Sequence, residues 1–406
     1  LSIKGLSGTN INAKGVIKGL PDSKKVYADL VINKFQTSRE DILAFLPKNA
    51  LPANITLPES MAASGFVKGG MNNLHADLAI NTSLGSARAN GTLVNITDKN
   101  KAKYDMALSI RGLMLGTLIE NPKLGSLTAD FKVKGNGYNP ETANATFDGI
   151  IANITLNNYN YRKLKAAGSI ANKQFKVNAD IHDPNIDVTM LASGTFNGKL
   201  PAIHLDATID SIKTLPLHLT TQSIIYHGKI DGDFTNINPD SLAGNLSVTH
   251  SVLVNNGQRM TLDSLQVIAD DTIGNQSLTL KADFLSASIK GQYKLTQLAD
   301  VFQQAIDPYF SLTAVKNTQK VDFYHFTINA GVVDNPALRA FLPTLTQLKP
   351  INLSGNFASD SGWNVAITSP HIVYGTSDIN ELNLNAGTKN GTLVFNTSLK
   401  QFKSGS

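Results

Sequence analysis

Apolar and polar residues alternate one by one through most of the chain. Between Val26 and Asn33 the even positions are apolar and the odd positions are mostly polar, and Leu74–Ile80 and Leu127–Val133 show the same alternation. Successive side chains of a β-strand point to opposite faces, so a two-residue period indicates a strand with one apolar and one polar face. The pattern therefore predicts a protein built almost entirely of half-buried strands.

A motif of alanine, aspartate and an apolar residue recurs within these runs. It stands at 28–30, 76–78, 129–131, 179–181 and 282–284, with the variants Gly232-Asp233-Phe234 and Ile328-Asn329-Ala330. The first six copies begin 48, 53, 50, 53 and 50 residues apart. Such a period indicates a repeat protein, and we expect residues 1–406 to form a single elongated repeat region of about eight units of about fifty residues. Turn pairs such as Asn90-Gly91 divide each unit into about four strands, or about thirty in all.

A longer internal match supports duplication. The segment NPETANATFDG begins at Asn139, and the similar segment NPDSLAGNLSV begins at Asn238. The offset between them is 99 residues, which corresponds to two periods. The repeat therefore extends beyond the three-residue motif.

Three short helices are predicted to interrupt the strands, near 37–46, 296–307 and 336–342. Thr37 or Ser38 precedes the first, Thr296 begins the second, and Asn335 followed by proline opens the third. These residue types are common at helix N-termini. The sequence does not indicate whether the helices plug, cap or brace the sheet.

Three architectures protect the apolar face of so many strands from water: a sandwich, a closed propeller and a long sheet curled on itself. Propeller blades have similar periods, but the chain has one tryptophan, Trp363, and one glycine pair, Gly69-Gly70, where blades usually repeat such signals. We therefore expect an all-β fold, an elongated, repetitive, mostly antiparallel sheet curled into a hydrophobic groove with a few short helices.

The composition of the chain argues against several classes of function. The 406 residues carry a net charge of +5 without a run of like charges, which is no more than solubility requires, and we expect no nucleic-acid partner. There is no cysteine, so disulfides, thiolate catalysis and zinc–cysteine sites are excluded. The chain begins at Leu1 and contains no run of apolar residues that could span a membrane. We expect it to be an internal piece of a longer protein.

No catalytic constellation is recognisable. The eight histidines stand singly, without the spacing of metal ligands. Asp270-Asp271 and the turn from Asp183 to Asp187 do not match a known calcium loop. The recurring motif aspartates lie about one period apart on equivalent strand faces, which is typical of solvated positions. We therefore expect no enzyme activity, no metal and no cofactor.

Glycine-spaced strands carry a resemblance to a known family. They occupy Gly15–Gly19, Gly65–Gly69 and Gly228–Gly232, and the last continues into GKIDGDFTNINPDSLAGN. This style resembles the AsmA-like and TamB-like proteins of diderm bacteria, and its richness in Asn, Lys and Thr is similar to versions from Bacteroidetes. The resemblance implies a trough-shaped sheet (a β-taco) that carries phospholipid between the inner and outer membranes or assists outer-membrane assembly.

The same resemblance implies a location and partners. The protein would lie in the periplasm, anchored to the inner membrane by a segment outside this sequence. Phospholipid would be the ligand, and an outer-membrane barrel protein would be contacted through parts of the chain not present here. The family's N-terminal membrane helix and its C-terminal domain are not recognisable in these residues.

The predicted lining of the groove consists of inward positions of the alternating strands. They are Ala28, Leu30, Ile32, Ala76, Leu78, Ile80, Ala129, Phe131, Val133, Phe175, Val177, Ala179, Ile181, Leu205, Ala207, Ile209, Leu278, Leu280, Ala282, Phe284, Val365 and Ile367. The recurring alanines would leave volume for acyl chains between larger neighbours. Alternatively, opposite side chains fill that volume, and the protein is a structural or adhesive repeat protein with a closed core that binds protein or glycan.

Overall fold

The computed structural model describes residues 2–4, 8–20, 25–45, 54–70, 72–95, 98–139, 142–196, 201–255, 257–309, 319–389 and 391–405. Strands account for 68% of the described residues and helices for 8%. The strands pair antiparallel and are accompanied by a few short helices. The predicted all-β fold class is therefore confirmed.

The chain divides into two compact units. Unit 1 comprises Leu1–Asn197 and Ser211–Thr221, and unit 2 comprises Gly198–Asp210 and Gln222–Ser406. Unit 1 holds four copies of the alanine–aspartate motif and unit 2 holds the other three.

Unit 1 is a meander in which each strand pairs with the next along the chain. Its elements are β1 (Ser2–Lys4), β2 (Asn10–Lys18), β3 (Tyr27–Ser38), α1 (Arg39–Phe45), β4 (Ser60–Gly70), β5 (Asn73–Thr82), β6 (Gly85–Val94), β7 (Lys103–Met114), α2 (Leu115–Leu118), β8 (Leu124–Asn136), β9 (Asn144–Leu156), β10 (Tyr159–Ala171), β11 (Gln174–Asp183) and β12 (Ile186–Thr195). Strand β13 (Ala202–Lys213) crosses the boundary between the units.

Unit 2 continues the same strand pattern with two irregularities. Its elements are β14 (Ile224–Asn236), β15 (Ala243–Asn255), β16 (Gln258–Asp270), β17 (Gln276–Ala282), β18 (Leu285–Gln292), α3 (Leu298–Ile306), β19 (His325–Val332), α4 (Pro336–Phe341), β20 (Leu345–Leu348), β21 (Ile351–Ala358), β22 (Gly362–Tyr374), β23 (Ser377–Lys389), β24 (Thr392–Ser398) and β25 (Gln401–Ser404). Strand β19 pairs with β21, while the short strands β20 and β25 pair with β22 and β23.

One period contains about three strands, not the four expected. Ala129, Ala179 and Gly232 lie on β8, β11 and β14, three strands apart at each step. Many strands are 12 or 13 residues long, so fewer of them fit into fifty residues. The described residues accordingly form 25 strands where about thirty were expected.

The strand register brings the apolar positions of unit 1 onto one face. Residues that pair across neighbouring strands line up in rows, and the inward positions of one strand pair with inward positions of the next. One row crosses ten strands through Leu30, Val67, Ala76, Gly91, Met106, Val133, Phe147, Gly168, Val177 and Ala192. These rows together form what we call the apolar face of unit 1.

β-Bulges bend this face along one line. Pairing skips from Ile110 to Leu113 in β7 and passes over Ala152 in β9. Ile110 and Ile151 both pair with Ala129 of the strand between them, so the two bulges stand side by side. A bulge adds an unpaired residue that bends its strand. Aligned bulges therefore curl the sheet and change the spacing of inward residues locally from two to three.

Two of the three predicted helix N-caps are present in the structure, and the third is not. Ser38 Oγ accepts a hydrogen bond from Asp41 N at 3.2 Å before α1, and Asn335 Oδ1 accepts one from Ala337 N at 2.8 Å before α4. The expected role of Thr296 is wrong, because α3 begins at Leu298 and the Thr296 hydroxyl donates to the Asp240 carboxylate.

Candidate functional site

The strand register places all thirteen predicted lining residues of unit 1 on its apolar face. They lie on β3, β5, β8 and β11, and their cross-strand partners are also inward residues. The intervening strands complete the face with residues that the motif did not single out, including Val67, Leu108, Phe147, Leu164 and Met190. The same two-residue alternation marks them in the sequence, so the signal was present there too.

The predicted lining is neither sealed nor fully exposed. Ala129, Ala207 and Ile209 are buried, and the other nineteen residues of the set are half-buried. A closed core would shield most of them from solvent. Half-exposed apolar side chains on adjacent strands instead form a surface that can accept an apolar ligand.

Glycines form part of the floor of this face. A Cβ atom built at Gly149 would lie 2.1 Å from Phe131 Cδ1, and one at Gly168 would lie 2.6 Å from Phe147 Cε1. Each phenylalanine ring therefore fills the space over the glycine of the neighbouring strand that a side chain would otherwise occupy. Side-chain pairing across strands explains why large and glycine residues adjoin in one row.

The motif aspartates lie on the opposite, polar face of unit 1. Asp29 pairs with Lys68 at 3.1 Å, and Asp77 pairs with Arg88 at 2.7 Å. Hydrogen bonds from Arg88, followed by one from Asn90, lower the pKa of Asp77 to about 2. The motif aspartate thus recurs beside a basic side chain on the neighbouring strand, and the basic partners Lys68 and Arg88 remain exposed.

Of two further motif aspartates, one has an ion pair on the neighbouring strand and the other has a backbone donor. Asp130 pairs with Arg111 at 2.8 Å, and hydrogen bonds from Arg111 and Ser109 lower the pKa of its carboxyl. Asp283 instead accepts a hydrogen bond from Asp263 N at 2.7 Å. The copy at 282–284 ends β17, so Phe284 lies half-buried in the turn before β18 and not on a strand.

In unit 2 a helix covers part of the apolar face. Val301 of α3 packs with Ile289, Tyr293, Phe326 and Phe357 in one buried cluster. The indole Nε1 of Trp363 donates to the Ala305 carbonyl at 2.9 Å, which fixes the end of α3. Of the predicted lining, Leu278 and Val365 pack against this cluster and therefore face the helix region, not an open groove.

Acidic side chains in the described residues have structural roles. Asp183, which begins the turn that ends at Asp187, accepts hydrogen bonds from the Tyr159 hydroxyl and from the backbone N–H groups of Arg162 and Asn185. Within the described ranges, no group of three or more histidine or acidic residues is arranged to hold a metal ion. None of the helices in that part of the chain has the length and hydropathy that a membrane crossing requires.

Fold and site together define a class: an antiparallel meander with a half-exposed apolar face and an ion-paired polar face in unit 1. Comparison with family models, with curated proteins and with solved structures finds no match for this chain.

Proposed function

We propose that the apolar face of unit 1 holds the acyl chains of phospholipids, and that the protein is a non-enzymatic envelope protein that moves phospholipid between membranes or assists outer-membrane assembly. The observation that carries the proposal is the row of inward residues that crosses ten strands, in which nine of the ten residues are half-exposed. The resemblance to AsmA-like and TamB-like proteins supports transport of phospholipid between the two membranes and a periplasmic location.

The dimensions of unit 1 suit this role. Ten strands at about 4.8 Å each extend the row over about 45 Å. One layer of acyl chains occupies about half of a bilayer core of about 30 Å, so the face accommodates more than one chain end to end. Burying about sixteen carbons at about 0.8 kcal/mol per methylene releases on the order of 10 kcal/mol without any directed bond.

The glycine floor favours movement along the face. Phe131 fills the space over Gly149 and Phe147 fills the space over Gly168, so these large side chains occupy room that the neighbouring strand leaves free. Dispersion and hydrophobic contacts are non-directional, so a chain that slides by one strand exchanges one apolar row for an equivalent one.

The test is organic extraction of the purified protein followed by mass spectrometry of the extract. We expect stoichiometric phospholipid, and its loss in the variant Phe147→Asp, which places a charge on the apolar face. Thr146→Asp is the matched control, because Thr146 is exposed on the polar face of the same strand. A lipid-free protein that also fails to bind added phospholipid contradicts the proposal.

The polar face of unit 2 favours a second candidate, the adhesive or glycan-binding protein. A shallow depression of about 450 Å³ there is lined largely by uncharged polar side chains. They include Thr279, Ser286, Ser288, Asn329, Asn352, Ser354 and Thr368. Hydroxyl and amide groups in such an array can hydrogen-bond a neutral polyol. Binding of soluble polysaccharide that Asn329→Asp abolishes, together with absence of lipid, would select this candidate.

A further inference from the structure

A basic cleft lies at one edge of unit 1, where β3, β4 and β5 meet their turns. Its volume is about 560 Å³, and it opens on the side of the polar face. Lys25, Tyr27, Lys68, Asn72, Asn73 and His75 contribute its polar side chains. The wall between them is formed by Gly69 and Gly70, which have no side chains and leave the backbone bare.

The cleft concentrates donors and positive charge. Lys25 and Lys68 are exposed, and Lys68 is 60% accessible even though it pairs with Asp29 at 3.1 Å. An ammonium group has three donors, so one ion pair leaves Lys68 able to bind a second anion. The neighbouring carboxylate of Asp77 is engaged by Arg88 and so competes little for these cations.

His75 is oriented by its own contacts. Its Nδ1 lies 2.9 Å from the Gly91 carbonyl oxygen, and its ring packs on Phe66 with centroids 5.3 Å apart. Since a carbonyl only accepts, this contact places the proton on Nδ1 and leaves Nε2 for a ligand. The cleft therefore brings together two ammonium groups, an imidazole and two carboxamides. These groups can donate hydrogen bonds to the oxygens of a phosphate group.

The position of the cleft connects it with the apolar face. Gly69 lies in the same inward row as Ala28 and Leu74, and it lines the cleft together with Val26, so the cleft lies at the strand ends where the polar face meets the apolar face. We propose that the cleft binds the phosphate of an anionic phospholipid whose acyl chains lie on the apolar face. The inference rests on the proposed function, because the acyl chains bring the headgroup to this edge.

The experiment compares two lipids with identical acyl chains, phosphatidylglycerol and diacylglycerol, by displacement of a fluorescent fatty acid. We expect wild-type protein to bind phosphatidylglycerol about tenfold more tightly, a preference that salt weakens by screening. The double variant Lys25→Gln/Lys68→Gln should lose the preference and keep its affinity for diacylglycerol. The control Lys165→Gln/Lys176→Gln removes two exposed lysines of the polar face elsewhere in unit 1 and should retain it.

The outcomes separate this inference from the proposed function. Equal binding of both lipids by wild-type protein, or an unchanged preference in the double variant, overturns the cleft but leaves the groove intact. Absence of binding to either lipid overturns both. Titration with inorganic phosphate, observed through the His75 ring signals, adds a third arm. A response there without a preference for phosphatidylglycerol assigns the cleft to free phosphate esters and overturns the lipid assignment.

Discussion

The two units share a strand pattern but finish their apolar faces differently. In unit 2, α3 lies against the face and closes an aromatic cluster around Phe326, which is 1% exposed. In unit 1, the main strand contacts of the described helices are with strands next to them in the chain, α1 with β3 and α2 with β8. Alternation therefore specifies that a face is apolar, whereas a separate segment decides whether that face becomes a core.

The polar faces differ as well. In unit 1, ion pairs such as Lys68–Asp29 and Lys134–Asp105 link neighbouring strands. Around the depression of unit 2, most cross-strand neighbours are uncharged, as in Ser288, Asn329 and Ser354, and Lys281 is the one charged residue of the lining. Both solutions keep a sheet face hydrated, but only the first responds to pH and salt.

The largest expected effect is the loss of stability when the covered face of unit 2 is disrupted. Phe326→Ala should lower the free energy of unfolding by about 3–5 kcal/mol, because it empties a buried site among aromatic rings. Phe131→Ala in unit 1 should cost only about 1–2 kcal/mol, since that ring is half-buried. Guanidinium unfolding followed by Trp363 fluorescence measures the first, and hydrogen exchange of unit 1 amides measures the second. Equal losses would contradict the distinction between core and open face.

The next effect concerns the glycine floor of unit 1. Gly149→Leu should destabilise unit 1 by about 1–3 kcal/mol and expel bound lipid, because the new side chain forces the Phe131 ring off the floor. Gly331→Ala is the control: it lies on the polar face of unit 2, where a Cβ would meet only Ser286 Oγ, at 3.1 Å, and Asn352 Oδ1, at 3.8 Å. Thermal unfolding and lipid extraction check both. Full lipid occupancy in Gly149→Leu would show that the floor need not be flat.

A smaller effect appears at high pH in unit 2. Burial against α3 raises the pKa of Tyr293 to about 12, while an unfolded tyrosine titrates near its ordinary value of about 10. The neutral phenol thus contributes about 2 kcal/mol that is fully present below pH 10 and is lost between pH 10 and 12. Stability measured across this range should fall less steeply in Tyr293→Phe. Identical slopes would mean that Tyr293 is not shielded as described.

The smallest effect concerns the ion pairs of unit 1. Arg88→Gln should raise the pKa of Asp77 from about 2 toward its ordinary value, because the largest cause of the shift is the hydrogen bond from Arg88. A lowered carboxyl pKa contributes stability above about pH 4 that is lost as pH falls toward 2. Carboxyl NMR titration measures the shift, with Lys165→Gln as a distant control. An unchanged pKa would assign the shift to Asn90 instead.

Much of the strand arrangement could be predicted because the two-residue period is a local property. Ala76, Leu78 and Ile80 alternate with polar residues, and this alone indicates which side of β5 is inward. The number of strands per period could not be counted in the same way, since strand length depends on where the next turn falls. One bulge is visible in the sequence as a three-residue spacing of apolar residues, from Ile110 to Leu113. Only the strand pairing shows that this spacing corresponds to a bulge.

Coverage of the apolar face could not be predicted. The segment of α3 is recognisably amphipathic, yet its contact with Phe357, 51 residues beyond its end, depends on the tertiary fold. The floor glycines are visible in the sequence, but their partners Phe131 and Phe147 lie on other strands. Long-range packing of this kind has no local signal, and so the alternation by itself leaves the choice between groove and core open.

The three-strand period limits how such a protein can be lengthened by tandem duplication. In an antiparallel meander, an odd number of strands reverses the direction of everything that follows. Copying one period alone would therefore place each connection that follows it at the opposite ends of the strands. Copying two periods restores the direction. The 99-residue offset between Asn139 and Asn238 relates the β8–β9 connection to the β14–β15 connection, six strands apart, and six strands is the shortest copy of whole three-strand periods that preserves strand direction.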